Sequence, residues 1–76
     1  MKSKERGKTL RTRRKELKID QQTLAQMADV SVHTISDIES GKANPTIEVL
    51  DKVLRILGLD LFIGVRKVND DTQNRG

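Results

Sequence analysis

The sequence predicts a small all-α domain of four helices followed by a short C-terminal β-strand, and three observations carry that prediction. Apolar residues recur at helical spacing in four stretches between Leu10 and Leu57. Capping residues and glycines stand at the ends of those stretches. Only after Gly58 does the period change to two, over Leu59, Leu61, Ile63 and Val65. The 76 residues leave room for one domain. Chains of this size bury only about 60% of their unfolded surface, so a partner chain would add stability. The core has to be aliphatic, since hydrophobic residues are 34% of the chain with one Phe, no Trp and no Tyr.

The first predicted helix covers residues 4–18, with its start at Lys4 or, because Gly7 intervenes, at Thr9. Leu10, Arg14 and Leu17 share one of its faces. The same stretch is strongly basic. Residues 1–18 carry nine Lys and Arg against Glu5 and Glu16 in a chain of net charge +4, so the remainder is net acidic. Such a cluster attracts a polyanion by counterion release, and nucleic acid is the commonest one in a cytoplasm. By itself the cluster is read equally well as a solvated helix face.

Residues 21–28 form the second helix, with Asp20 as N-cap and Leu24, Ala25 and Ala28 on a narrow buried stripe. The third, 32–40, follows almost at once. Ser31 caps it, Ile35 and Ile38 face inward, and Gly41 supplies a left-handed stop. Val30 is placed to plug the angle between the two. With so short a connection, the third helix must cross the second steeply and present Val32, His33, Ser36, Asp37 and Ser40 to solvent or to a groove. The loop from Gly41 to Pro45 is dense in turn residues. Thr46 then caps a fourth helix, 47–57, whose Ile47, Leu50, Val53, Leu54 and Leu57 keep the 3.6-residue period until Gly58.

The period-two segment reads as a strand over residues 60–66. A lone strand cannot satisfy its own backbone, and nothing else in the chain alternates this way. The simplest partner is the same strand of a second copy, which predicts a homodimer with Leu59, Leu61, Phe62, Ile63 and Val65 at its interface. A fifth short helix, or an arm packed on the fourth helix, is the alternative. Residues 1–66 are read as one domain and residues 67–76, polar apart from Val68, as a disordered tail.

Several functions are excluded by composition. No cysteine is present, and a single His makes no zinc site without carboxylate help, so no metal or other cofactor is expected. Without Cys, Tyr or a Gly-rich phosphate loop, the usual acid–base and nucleophile sets cannot be assembled. The chain is therefore not read as an enzyme. The N-terminus has no apolar run behind its charges and the longest aliphatic or aromatic run is Leu61-Phe62-Ile63. Neither a signal peptide nor a membrane span is expected, and the protein is placed in the cytoplasm.

The run LKIDQQTLAQMADVSVHTISDIESGKANPTIEVLDKVLRILG, Leu17 to Gly58, resembles the Cro and phage-repressor type of helix-turn-helix, the XRE family. That resemblance implies binding to double-stranded DNA with the third helix in the major groove. It also implies that Gln21, with Gln22 as neighbour, holds a backbone phosphate and that Val32, His33 and Asp37 meet base edges. Arg14 and Glu39 fall where the family often has an ion pair. One turn position that is commonly Gly is Asp29 here, tolerable because Asp adopts a left-handed conformation by bonding its own backbone. Leu57 to Leu61 and the apolar residues after them resemble the end of HipB-type antitoxins, which implies strand pairing across the dimer, a toxin partner and autoregulation.

The third helix has no Lys or Arg, so it lacks the bidentate guanine reader that dominates major-groove recognition. Softer contacts remain. His33 suits a purine N7 or guanine O6, Val32 a thymine methyl, and Asp37 a cytosine amine, unless it pairs with a basic residue instead. Affinity then depends on the backbone, through the Gln21 and Gln22 amides, the Ser31 and Ser40 hydroxyls, and Lys42 with the loop N–H groups to Asn44. The expected function is a dimeric, sequence-specific transcription regulator, a repressor of a pseudo-palindromic operator, either alone or as an antitoxin. The alternatives are a protein-interaction module that neutralises an enzyme and a restriction-modification controller protein.

Overall fold

In the computed structural model, which describes residues 3–62 and 65, four helices follow one another: α1 (Ser3–Glu16), α2 (Gln21–Ala28), α3 (Val32–Ser40) and α4 (Ile47–Leu57). The fold is all-α. Three of the helix starts are fixed by side-chain caps, where an oxygen accepts one of the free N–H groups of the first turn. Asp20 accepts from the Thr23 N–H at 2.7 Å, Ser31 from Thr34 at 3.0 Å and Thr46 from Val49 at 3.2 Å. The Thr23 backbone N–H, and then its side chain, hold the Asp20 carboxyl below its ordinary pKa. The ends use left-handed residues, Asp29 at φ 56°, Gly41 at φ 81° and Gly58 at φ 69°.

The inward residues of all four helices meet in one aliphatic core of Leu10, Leu24, Ala25, Ala28, Ile35, Ile38, Leu50, Val53, Leu54 and Leu57. Helix α1 packs on α3 and α4, and α2 on α3 and α4. Val30 is partly buried against the core, in the corner between α2 and α3.

Two inward positions expected from periodicity are corrected. Leu17 is 39% exposed, because α1 ends at Glu16 and not at residue 18. Lys18 turns left-handed at φ 59°, its N–H bonds the Lys15 carbonyl at 3.0 Å, and Ile19 packs on the core in Leu17's place. Ile47 is 63% exposed: it is the first residue of α4, and its side chain does not reach the core.

Gly7 does not interrupt α1. It is buried where α1 crosses the last turn of α3, and a Cβ there would run into the backbone carbonyls of Ile38 and Glu39. The glycine therefore sets how closely the two helices approach. Alanine in a helix interior ordinarily stabilises by up to about 1 kcal/mol relative to glycine, whereas overpacking against a rigid backbone costs about 1–3 kcal/mol. Gly7→Ala is expected to lose about 1–2 kcal/mol net, read as a lower urea midpoint, and a raised midpoint would contradict the close approach.

After Gly58 the Leu59 N–H bonds the Leu54 carbonyl at 2.9 Å and Leu59 is half-buried. Leu61, Phe62 and Val65 are exposed. No strand is formed among the described residues. Ile63, Gly64 and Arg66 of the predicted strand lie outside them, as do residues 67–76. Among the described residues no helix is long and apolar enough to cross a membrane.

Candidate nucleic-acid interface

The α2–α3 pair is anchored from beneath by a buried charge. Arg14 of α1 donates to both carboxylate oxygens of Glu39 on α3, Nε to Oε2 at 2.7 Å and Nη2 to Oε1 at 3.1 Å, while Nη1 donates to the Ile19 carbonyl at 2.9 Å. Both residues are buried, at 8% and 9% exposure. The hydrogen bond from Arg14 to Glu39 raises the guanidinium pKa above its ordinary value and outweighs the opposing effect of burial. Gln21, the first residue of α2, donates its side-chain amide to Glu39 Oε1 at 3.1 Å. One carboxylate thus ties α1, the start of α2 and α3 together. It also occupies one of the two N–H groups of Gln21, leaving the other N–H and the amide oxygen.

The outer face of α3 carries Val32, His33, Ser36, Asp37 and Ser40. Val32 is 47% exposed. The His33 imidazole is exposed and its Nε2 lies 3.1 Å from Asp37 Oδ2, an ion pair only when the imidazole is protonated. The two residues stand four apart on one helix, within reach of each other. Ser31, at the N-terminus of α3, shares its hydroxyl with Thr34 Oγ1 at 2.8 Å, and Gln22 is exposed on α2.

The loop after α3 is less available than its composition suggests. The N–H groups of Lys42 and Ala43 donate to the Asp37 carbonyl at 2.9 and 3.3 Å, and the Ser40 hydroxyl donates to the same oxygen at 3.2 Å. Those amides close the end of α3 and are not free for a phosphate. What projects outward is the Lys42 side chain and Asn44, whose Oδ1 accepts from the Ser3 hydroxyl at 3.3 Å.

Two contacts escaped sequence reasoning. Arg13 Nε donates to the Leu57 carbonyl at 2.8 Å and so caps the C-terminal end of α4. A cation at a helix C-terminus is favourable, but which helix receives it depends on how α1 and α4 pack. Arg11 lines one recess with Arg14, Gln21, Ser36, Glu39 and Ser40. The signal for that position was available, since Arg11 precedes Arg14 by three residues and therefore shares its side of α1.

Known proteins share this fold and part of this sequence. The helix-turn-helix family model matches residues 10–63. An HTH-type transcriptional regulatory protein of Methanococcus maripaludis is 41% identical over 59 residues, covering 78% of this chain and 18% of that protein. The crystal structure of the clp gene regulator ClgR from Corynebacterium glutamicum aligns with a TM-score of 0.71 at 28% identity, over 75% of this chain and 61% of that one. The chain thus spans less than a fifth of the first relative and about three-fifths of the second. Because the family match takes in α2, α3 and the helices that hold them, the chain belongs to the DNA-binding helix-turn-helix family of the XRE, or Cro and phage-repressor, type.

Proposed function

We propose that this chain is a sequence-specific regulator of transcription that places α3 in the major groove of double-stranded DNA as a homodimer and represses from a pseudo-palindromic operator. The observation that carries the reading is the outward face of α3, held in position by the buried Arg14–Glu39–Gln21 contacts. Val32, His33 and Asp37 meet base edges. Gln21, Gln22, Ser31, Ser36, Ser40, Lys42 and Asn44 meet the flanking phosphates. Such a regulator works in the cytoplasm, with residues 1–66 as its domain.

Support for the second copy comes from the opposite side of the molecule. An apolar groove of about 430 Å³ runs between α1 and α4 beside Leu59, Leu61 and Phe62, and Phe62 is 87% exposed. The Arg6 Nε–H is buried at this groove without an acceptor among the described residues. A backbone carbonyl of a second chain would satisfy it. Pairing through residues 59–65 brings two copies of α3 to successive half-sites, about one helical turn or a multiple apart. The same exposed apolar end supports the antitoxin form, in which a toxin also docks.

Footprinting on the DNA upstream of the chain's own coding sequence, with Leu61→Lys and Ile63→Lys in parallel, tests the reading. A two-fold symmetric protected site, lost or weakened at least tenfold in both variants, is expected. Equal protection by the variants would refute the pairing, and absence of any protected site on that DNA would refute autoregulation.

A further inference from the structure

We propose that the seam between α1 and α3 is a phosphodiester-binding groove in which Arg11 is the clamp; the inference rests on the DNA-binding reading above and extends it to a residue outside α2, α3 and the loop. Two recesses run side by side along this seam. One, of about 470 Å³, is lined by Lys4, Glu5, Lys8, Glu39 and Ser40, and the other, of about 360 Å³, by Arg11, Arg14, Gln21, Ser36, Glu39 and Ser40. Glu39 and Ser40 line both, so the recesses adjoin.

Helix geometry puts three cations along this seam. Lys4, Lys8 and Arg11 follow one another at i, i+4 and i+7, the spacing of one helix face. At 1.5 Å per residue the row is about 10 Å long, roughly three 3.4 Å steps of one DNA strand.

Charge in the Arg11 recess is one-sided. Its only acid is Glu39, whose carboxylate is already engaged by the buried Arg14 and by Gln21. Arg13, Arg14 and Arg55 each reach a carboxylate, at 3.3, 2.7 and 2.9 Å. Arg11 is exposed and donates to no group among the described residues. Its planar fork of N–H donors matches two oxygens of a phosphate better than an ammonium does. Across the recess stand the exposed Ser36 side chain and the Gln21 amide, both neutral hydrogen-bonding groups.

Position completes the case. Ser36 and Ser40 lie at once on the outer face of α3 and in the seam. A strand bordering the groove that α3 enters would therefore pass along α1, and α1 meets it with Arg11. This also accounts for how a reading helix without Lys or Arg is held on DNA.

The test is fluorescence anisotropy of a labelled random-sequence 24-base-pair duplex, titrated with the full chain between 50 and 200 mM NaCl, for wild type, Arg11→Gln, Arg11→Lys and Lys52→Gln. Lys52 is exposed on α4 and borders neither recess. Each lost phosphate neutralisation lowers the log–log salt slope by about 0.9, so the affinity advantage of wild type over Arg11→Gln should shrink about 3.5-fold per subunit across that range. Arg11→Lys and Lys52→Gln should keep the wild-type slope, and thermal unfolding of Arg11→Gln should match wild type. An unchanged slope in Arg11→Gln while wild type binds steeply would overturn the clamp alone. No binding by wild type would overturn the DNA reading and the clamp with it.

Discussion

Replacing Glu39 by Ala is expected to lower the free energy of unfolding by about 3–5 kcal/mol, because the Arg14 guanidinium would be left buried without its hydrogen-bonded counter-charge. For a domain of this size each 1 kcal/mol moves the midpoint by about 4–8 °C, so thermal melting should fall by roughly 12 °C or more. Small domains have only about 5–15 kcal/mol in total, and the variant would be close to its limit. Three contacts end on this carboxylate, from Arg14 Nε, Arg14 Nη2 and Gln21, and all are lost together. The double replacement Arg14→Met with Glu39→Leu removes both charges and should recover most of the stability. A loss below about 1 kcal/mol in Glu39→Ala, the range of a solvated surface pair, would mean that this contact does not anchor the fold.

Affinity for duplex DNA is expected to fall on the order of a thousandfold between 50 and 200 mM salt. The estimate follows from the chemistry of the interface. Gln21, Gln22, Ser31 and Ser36 are neutral donors, and the Ser40 hydroxyl already donates to the Asp37 carbonyl, so any contact these residues make to phosphate would release no counterions. Only cations set the slope, and of Lys4, Lys8, Arg11 and Lys42 each subunit is expected to bring about three to phosphates. Two subunits neutralise about six phosphates, which gives a log–log slope near −5. Anisotropy titrations on a duplex at four salt concentrations measure it directly. A slope near zero would exclude a phosphate-dominated interface, and one near half this value would mean that a single subunit is engaged.

The helices were legible because their signals are local. Asp20, Ser31 and Thr46 cap whichever turn follows them, and the αL ends at Gly41 and Gly58 need only a residue without a Cβ. Asp29 at φ 56° adopts the same conformation by the route open to a short polar side chain. Leu17 and Ile47 were misplaced because periodicity assumes that a helix continues, whereas each stands at or beyond a helix end. The loop amides of Lys42 and Ala43 were misjudged for a related reason: composition marks a turn but does not say which N–H groups the preceding helix consumes. His33 and Asp37 are four residues apart, and the structure brings the imidazole Nε2 within 3.1 Å of the Asp37 carboxylate.

By itself, the sequence determined the four helices, the caps of α2, α3 and α4, the aliphatic composition of the core and the face of α3 turned away from it. All of these depend on contacts within about four residues, whose free energies are decided by residue type and spacing. Only the tertiary structure decided that Gly7 is a point of helix contact, that Arg13 caps α4, that Gln21 joins the Arg14–Glu39 pair, and that Arg11 opens onto the same recess as Ser36 and Ser40. Each of those is a meeting of residues far apart in the chain. Where they meet is set by packing of the core, which the local code specifies only in sum.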